Sequence, residues 1–372
     1  MIHYNITSIK HIEELFKLML EQNASDLHLQ VGSPPLFRVA NILTSVGSEP
    51  ITKDHMEHFL KQVMNEEKLK TFLQEEDIDL AYDLPQFGRI RINCFFQKNN
   101  ISMAARLVKN TIPSFEELNL PPVLNQIAEN RSGLILVTGI AGSGKSTTLS
   151  AMINYINNSR KCHILTVEDP IEYIYTNKKA LISQREIGID VHDFSHALKY
   201  ALRQNPDIIL IGEMRDPETV SFGLTAAETG HLVLGTLHSY NASQTIGRIL
   251  DFFSPEKQSQ IRQTLRFTLC AIISQKLIPS LDEQSAIVPA VEILINNPSI
   301  KELIRKSEDN KIPDAIKVGK NEGMQTFNQS LLDLVEKKLI SKEIALRASP
   351  NPDALAMNLK GIFLDDEKGI LL

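Results

Sequence analysis

The segment Gly139-Ile140-Ala141-Gly142-Ser143-Gly144-Lys145-Ser146 fills every position of the pattern G-x-x-x-x-G-K-[ST], and Thr147 follows it. Phosphates carry several negative charges and need many convergent donors. Glycines let backbone N–H groups come close to them, and the positive end of a following helix adds to the attraction. In such a loop Lys145 reaches the β- and γ-phosphates of a nucleotide, and the Ser146 hydroxyl ligates Mg²⁺. Residues 139–147 are therefore the candidate phosphate-binding residues.

Three further groups could complete that chemistry. In Asp207-Ile-Ile-Leu-Ile-Gly-Glu213 an apolar run delivers an acid just past its end. Sheets of alternating strands and helices place ligands at that end of their strands, so Glu213 could hold or polarise a Mg²⁺ shell beside Ser146. Asp207 precedes the run and should lie away from the phosphates. In Ile164-Leu-Thr-Val-Glu-Asp-Pro-Ile-Glu172 another run enters a cluster of three acids, Glu168, Asp169 and Glu172. One of them could orient an attacking water, or the cluster could simply be solvated. His238 closes Gly-Thr-Leu-His. It could sense a γ-phosphate or serve in packing, and the residues alone leave both readings open.

These groups need a sheet to position them. The runs Leu134–Val137, Ile164–Val167, Ile208–Ile211 and Leu232–Leu234 suit strands buried on both faces of a parallel sheet. The first predicts a strand before the glycine-rich loop, and residues 147–155 predict a helix after it. Upstream, Ile9, Ile12, Leu15, Phe16, Met19 and Leu20 recur at helical spacing. Alternating segments over Asp26–Val31, Asp77–Leu84 and Arg89–Phe96 read as strands, with Arg89 and Arg91 on one face and Ile90 and Ile92 on the other. We read residues 1–108 as a small α+β domain. The proline-bearing stretch 109–122 reads as a linker, with a helix start at Ser114 and Glu117. Residues 123–372 read as an α/β domain that turns helical after Pro298, over 300–306, 325–338 and 341–348.

Composition narrows the class. With 42% apolar residues a sizeable core is available, and the net charge of −6 lacks the basic surplus usual in a dedicated nucleic-acid binder. Cys94, Cys162 and Cys270 form no CxxC pair, so neither a zinc knuckle nor a disulfide framework is expected. The first residues, MIHYNITSIK, lack the form of a signal peptide, and no window approaches the ~20 apolar residues of a membrane span. A soluble protein is expected, touching a membrane only through a partner.

From Gly133 to Leu277 the chain resembles the type II/IV secretion ATPase superfamily. It carries the glycine-rich P-loop, an acidic box ILTVEDPIEY, a Walker B segment PDIILIGEMRD and a histidine box TAAETGHLVLGTLH, in that order. Nearly end to end it is similar to the type IV pilus retraction ATPases, the PilT/PilU family, through ASDLHLQVGSPPLFRV, GRIRINCFFQ and EGMQTFNQSL. The resemblance implies a RecA-like P-loop NTPase domain behind a PAS-like α+β N-terminal domain, ATP and Mg²⁺ as ligands, and a homohexameric motor. Its partners would be an inner-membrane pilus platform protein and a paralogous retraction ATPase, with no nucleic acid. Its location would be cytoplasmic, peripheral at the inner membrane. It implies Lys145 and Ser146 for phosphate and metal, Glu213 as the Walker B acid, Glu172 as the group that polarises water, and His238 as the box histidine. Arg89, Arg91 and Arg106 match N-terminal-domain arginines that face the nucleotide in such rings. Read as residues alone, the same arginines could form a solvated strand face.

Two segments depart from the family pattern. Ile140-Ala141 stand where Pro-Thr is common, at positions that supply no side-chain ligand. Pro298-Ser-Ile-Lys-Glu-Leu-Ile-Arg-Lys306 resembles the retraction signature AIRNLIRE, with Ser299, Lys301, Glu302 and Lys306 substituted and Ile300, Leu303, Ile304 and Arg305 kept. The strings QREIGID, LRQNPDIILIGE and RILDFF lean towards the accessory type of retraction ATPase. Assembly ATPases of pilus extension or type II secretion usually carry a longer N-terminal region and a four-cysteine metal site. Here the P-loop begins at Gly139 and no CxxC occurs. A nucleic-acid translocase on the same core is the reading of another class, and the acidic balance opposes it.

Overall fold

The structure, a computed structural model, describes residues 11–39, 42–84, 88–282 and 286–362. The chain packs as two units. One runs to Thr111 and takes in Pro170–Tyr175 and Glu186–His192; the other takes Ile112–Asp169, Thr176–Arg185 and the chain from Asp193 on.

The first unit begins with helix α1 (Ile12–Glu21) and strands β1 (Asp26–Gln30), β2 (Leu36–Val39) and β3 (Ile42–Ser45). Helices α2 (Lys53–Val63) and α3 (Glu66–Glu75) follow, then strands β4 (Asp77–Leu84), β5 (Gly88–Gln97) and β6 (Asn100–Leu107). The strands form one antiparallel sheet in the order β3-β2-β1-β6-β5-β4. Its alternation sorts the side chains. Leu27, Leu29, Leu80, Ile90, Ile92 and Met103 enter one core with Leu15 and Phe16 of α1, Phe59 of α2 and Phe72 of α3. The helical spacing read from Ile12 to Met19 is the buried stripe of α1; Ile9 lies outside the described residues. The β5–β6 hairpin turns on Lys98 and Asn99, both with positive φ, as a two-residue turn between right-twisted strands requires.

The second unit opens with a turn where the sequence suggested a helix start. Ser114 and Glu117 do exchange both capping bonds, Ser114 N to Glu117 Oε2 at 2.7 Å and Glu117 N to Ser114 Oγ at 3.2 Å. Asn119 then takes a left-handed φ of 54°, and Pro121-Pro122 follow, so no helix propagates. Helix α4 (Val123–Ala128) leads to β7 (Gly133–Thr138), α5 (Lys145–Ser159), β8 (His163–Glu168), β9 (Leu181–Glu186), α6 (Phe194–Ala201) and β10 (Ile208–Ile211). Then come α7 (Pro217–Glu228), β11 (Leu232–Leu237), α8 (Ala242–Asp251), α9 (Pro255–Thr268) and the long pair β12 (Leu269–Pro279) and β13 (Ile287–Ile295).

The sheet order is β13-β12-β7-β11-β10-β8-β9. The four predicted apolar runs are its centre, β7, β11, β10 and β8, all parallel. Ile135, Leu136, Val137, Ile164, Ile208 and Val233 have no exposed surface. Each such side chain contributes roughly 1.5–3 kcal/mol of burial, which is why these strands read as continuous rather than alternating hydrophobic runs. β12 extends the parallel set beside β7, and β13 returns antiparallel to it.

Among the described residues five short helices come last: α10 (Pro298–Lys306), α11 (Ile312–Val318), α12 (Phe327–Glu336), α13 (Lys342–Ala348) and α14 (Pro352–Asn358). Phe327, Leu331, Leu334 and Leu355 pack with Val288 and Ala290 of β13 in a second core. In α10, Ile300 and Ile304 are buried and Leu303 is half-buried, while Glu302 pairs with Arg305 and Lys306 on the outer side. The retraction-like segment thus has one packed face and one charged face.

Candidate active site

The sheet register brings the predicted groups of the second unit to one edge. Val167, Ile211, Gly235, Leu136 and Ile272 form a row across β8, β10, β11, β7 and β12. All five strands run the same way, so the residues one to three positions further on share the C-terminal edge. Those residues are Glu168, Gly212-Glu213, His238, Gly139, and Ser274-Gln275. Asp207 lies at the opposite edge, where its carboxylate accepts the His163 N–H at 2.8 Å. It is thus at the far edge of the sheet from the glycine-rich loop.

The loop after β7 is shaped by its glycines. Gly139, Gly142 and Gly144 have φ of 151°, 74° and 87°, a region open to glycine and strained for other residues. Space is as tight as the torsions. A methyl group on Gly139 would lie 2.4 Å from Ser143 Oγ and 2.5 Å from the Gln275 carbonyl oxygen, whereas one on Gly142 would meet nothing within 4 Å. The loop is therefore pinned at Gly139 and open at Gly142. Gly144 caps α5, so the first-turn amides of that helix face the loop and its dipole adds positive potential there. Lys145 is folded back on this loop, its Nζ donating to the Gly139 carbonyl at 2.9 Å and to the Ile140 carbonyl at 3.0 Å.

Two observations bear on whether a nucleotide fits. Ser143 Oγ is buried and has no hydrogen-bond partner among the described residues, and the loop ends on the Lys145 ammonium and the Ser146 hydroxyl. The loop thus gathers a cation and two hydroxyls at one place, with the buried Ser143 hydroxyl unpaired and Lys145 held by two loop carbonyls. Mg²⁺ is ordinarily held by one or two protein oxygens plus substrate phosphates, a donor set that Ser146 and Glu213 suit.

Glu213 and His238 meet across the strand ends, with Nε2 3.4 Å from Oε1 and both side chains partly exposed. The backbone beneath them is fixed. Thr236 Oγ1 donates to the Gly212 carbonyl and Met214 N to the Thr236 carbonyl. A methyl group on Gly212 would press on Val167 O at 3.1 Å. Of the three clustered acids, Glu168 is buried at the end of β8, where it accepts from Thr166 Oγ1 at 2.6 Å and Gln184 Nε2 at 3.3 Å. Asp169 is exposed and lies 4.0 Å from Arg215. Glu172 is exposed and falls in Pro170–Tyr175, the segment that packs with the first unit.

Arg89, Arg91 and Arg106 also belong to the first unit. They share the polar face of its sheet, opposite the buried Ile90 and Ile92, and Arg91 stands directly across from Arg106. Each has a carboxylate. Arg106 Nε donates to Asp26 at 2.6 Å, Arg91 reaches Asp79 at 3.5 Å, and Arg89 lies 3.6 Å from Glu186. Burial works to raise the Asp26 pKa, but the bonds from Arg106 and Ser25 outweigh it and hold the carboxyl below its ordinary value. Burial pushes Glu186 up, and Arg89 and Arg91 offset only part of that.

The sequence reading missed the polar residues of β12. Ser274 bonds Thr138 at 2.8 Å, and Gln275 accepts from Thr148 Oγ1 at 2.8 Å, all four being buried. Their signal was a serine–glutamine pair interrupting the apolar run Ala271–Ile273.

Comparison with known proteins identifies the family. The family described as "Type II/IV secretion system protein" matches residues 5–343. A type IV pilus retraction ATPase, PilT, of Pseudomonas aeruginosa is 42% identical over 342 residues, which are 92% of this chain and 99% of that protein. The type IV pilus ATPase PilU of the same organism is 38% identical, over 94% of this chain and 91% of its own. Among solved structures, the pilus retraction motor PilT with bound ADP superposes with a TM-score of 0.86 at 40% identity, covering 92% of this chain and 98% of that one. The architecture is that of a RecA-like ATPase domain with an N-terminal domain, and the chain belongs to the type II/IV secretion system protein family.

Proposed function

We propose that this chain is an ATP-hydrolysing motor of type IV pilus retraction. One observation carries the reading. The 139–147 loop, Glu213 and His238 share one sheet edge, in a chain similar to a pilus retraction ATPase over 99% of that relative's length. In this reading the loop amides and Lys145 take the phosphates of ATP, with Lys145 exchanging its two loop carbonyls for phosphate oxygens. Mg²⁺, held by Ser146 and Glu213, supplies charge neutralisation when bound. Glu172 orients the attacking water, and His238, beside Glu213, registers the γ-phosphate position. Arg89, Arg91 and Arg106 are assigned to neutralising transition-state charge, which requires each to leave or share its carboxylate partner.

The working form is a homohexamer acting in the cytoplasm at an inner-membrane platform protein. Among the described residues no helix is long and apolar enough to cross a membrane.

The deciding experiment pairs chemistry with phenotype. Purified protein should hydrolyse ATP, and EDTA should abolish turnover. The Lys145→Ala variant, which removes the cation meeting the β- and γ-phosphates, should be inactive and fail to restore twitching to a deletion strain. Turnover by Lys145→Ala within threefold of wild type would overturn the assignment of this loop.

A further inference from the structure

The side chain of Gln275 is almost wholly enclosed, at 3% exposure, on a strand that carries none of the residues assigned above to phosphate, metal or water. A buried primary amide is costly unless it is used, because each unpaired polar atom forfeits its hydration. An apolar side chain would fill the same position without that cost. What the amide touches is the phosphate loop. Its Oε1 accepts from Thr148 Oγ1, in the first turn of α5, at 2.8 Å. Its Nε2 lies so close to Gly144 that a methyl group there would be 2.6 Å away, and its main-chain oxygen walls off Gly139 in the same manner at 2.5 Å. One residue thus bounds the loop at both ends. Thr148 could have bonded back to the carbonyl four residues earlier, as threonines in helices often do. Its hydroxyl is instead tied across to β12.

We infer that Gln275 is a positioning residue of the nucleotide site, holding Gly144 and the first turn of α5 so that the Lys145 and Ser146 side chains leave the loop in the direction of the phosphates. The inference rests on the proposed nucleotide site and adds to it a residue outside the loop itself. Gly144 has a φ of 87°, and it is the residue from which Lys145 departs, so a small rotation there swings the ammonium and the hydroxyl together. The Thr138–Ser274 bond at 2.8 Å anchors the two strands immediately below, so the amide acts from a fixed base.

The test uses full-length protein, ADP titration and melting with and without ADP, on Gln275→Leu, Gln275→Glu, Thr148→Val, Thr148→Ser and the double variant Gln275→Leu/Thr148→Val. The Leu and Val variants should each weaken ADP binding about tenfold, the scale of a lost buried hydrogen bond. The double variant should bind no more weakly than the weaker of the two. Thr148→Ser, which restores the hydroxyl, should recover most of the affinity, whereas Gln275→Glu, which keeps the acceptor but loses the Nε2 donor beside Gly144 and buries a negative charge at the phosphate loop, should bind ADP no better than Gln275→Leu. The ADP-induced rise in melting temperature should shrink in step with affinity, since a bound ligand stabilises by mass action. ADP affinity within twofold of wild type in Gln275→Leu would overturn the inference, as would losses that multiply in the double variant. If Gln275→Leu does not fold, Thr148→Val against Thr148→Ser decides on the same criterion. Failure of the wild type to bind ADP would instead overturn the nucleotide site itself.

Discussion

The loop glycines give a contrast whose size can be worked out. Gly139→Ala places a methyl group 2.4 Å from Ser143 Oγ and 2.5 Å from the Gln275 carbonyl oxygen. The serine can rotate away, but the carbonyl belongs to β12, which is paired on both sides, and cannot yield without breaking register. Overpacking of this kind costs about 1–3 kcal/mol, and holding alanine at a φ of 151° costs about 1–3 kcal/mol more. At about 2–4 °C per kcal/mol for a domain of this size, the variant should melt roughly 4–24 °C lower. Gly142→Ala meets nothing within 4 Å and bears only the left-handed cost, about 1–2 kcal/mol, or about 2–8 °C. Thermal melts of the two purified variants, followed by circular dichroism at one scan rate, make the comparison. A Gly139→Ala protein melting as high as Gly142→Ala would refute the argument that the loop is pinned at its first glycine and free at its middle one.

Glu213→Gln keeps the shape beside His238 but removes the charge, so ADP affinity should hold within threefold while turnover falls at least ~10²-fold. The same measurement on Glu172→Gln tests the water-orienting assignment, and wild-type turnover there would transfer that role to another acid. Glu292→Gln should respond to pH. Burial raises the Glu292 pKa, with the Ala242 N–H and Lys276 offsetting part of it. Its folded-state pKa thus lies above the unfolded value of about 4.3, so wild-type stability is full below that value and declines as pH rises through the folded pKa. Glutamine cannot ionise and can still accept the Ala242 N–H, which Glu292 takes at 2.9 Å. Its melting advantage should grow from near zero at pH 4 to a plateau above the raised pKa. A Glu292→Gln protein that loses ground to wild type as pH rises would contradict this.

Much of the fold was legible because the relevant signals are local. The four apolar runs became β7, β8, β10 and β11, since a strand covered on both faces can use little but apolar residues. β4 spans the predicted residues Asp77–Leu84, because an alternating strand with one wet face writes its period into the sequence. The β12–β13 pair went unread for the opposite reason. Its strands are long and mixed in polarity, with Gln275, Lys276 and Glu292 inside them. Their polar residues are satisfied by partners far along the chain, Thr148 and Ala242. The Ser114 helix start failed for a related reason. Both capping bonds form, but propagation needs downstream residues that keep helical torsions, and Asn119 with two prolines does not supply them.

The site divides along the same line. Residues assigned to phosphate through loop shape, Gly139 to Thr147, announce themselves by composition, since glycines tolerate the torsions and a lysine followed by a hydroxyl would supply the cation and the ligand. The pairing of Glu213 with His238 required the sheet order. Their strands are neighbours in space but are separated in sequence by α7, and nothing in either segment encodes the other. The arginines show what a one-dimensional reading leaves open. Alternation correctly placed Arg89 and Arg91 opposite Ile90 and Ile92, yet it could not show that Asp26, Asp79 and Glu186 hold the three guanidinium groups. That matters for mechanism. In the proposed role an arginine with a carboxylate partner would have to exchange it for phosphate, so its contribution to turnover would be the difference between two ion pairs rather than the whole of one. Arg106 has the shortest of the three contacts, to a buried carboxyl held below its ordinary pKa. Arg91 reaches an exposed aspartate at 3.5 Å. Of these two, Arg91 would give up less on meeting a phosphate in the proposed role, and Arg106 is the one whose present bond more resembles a structural tie.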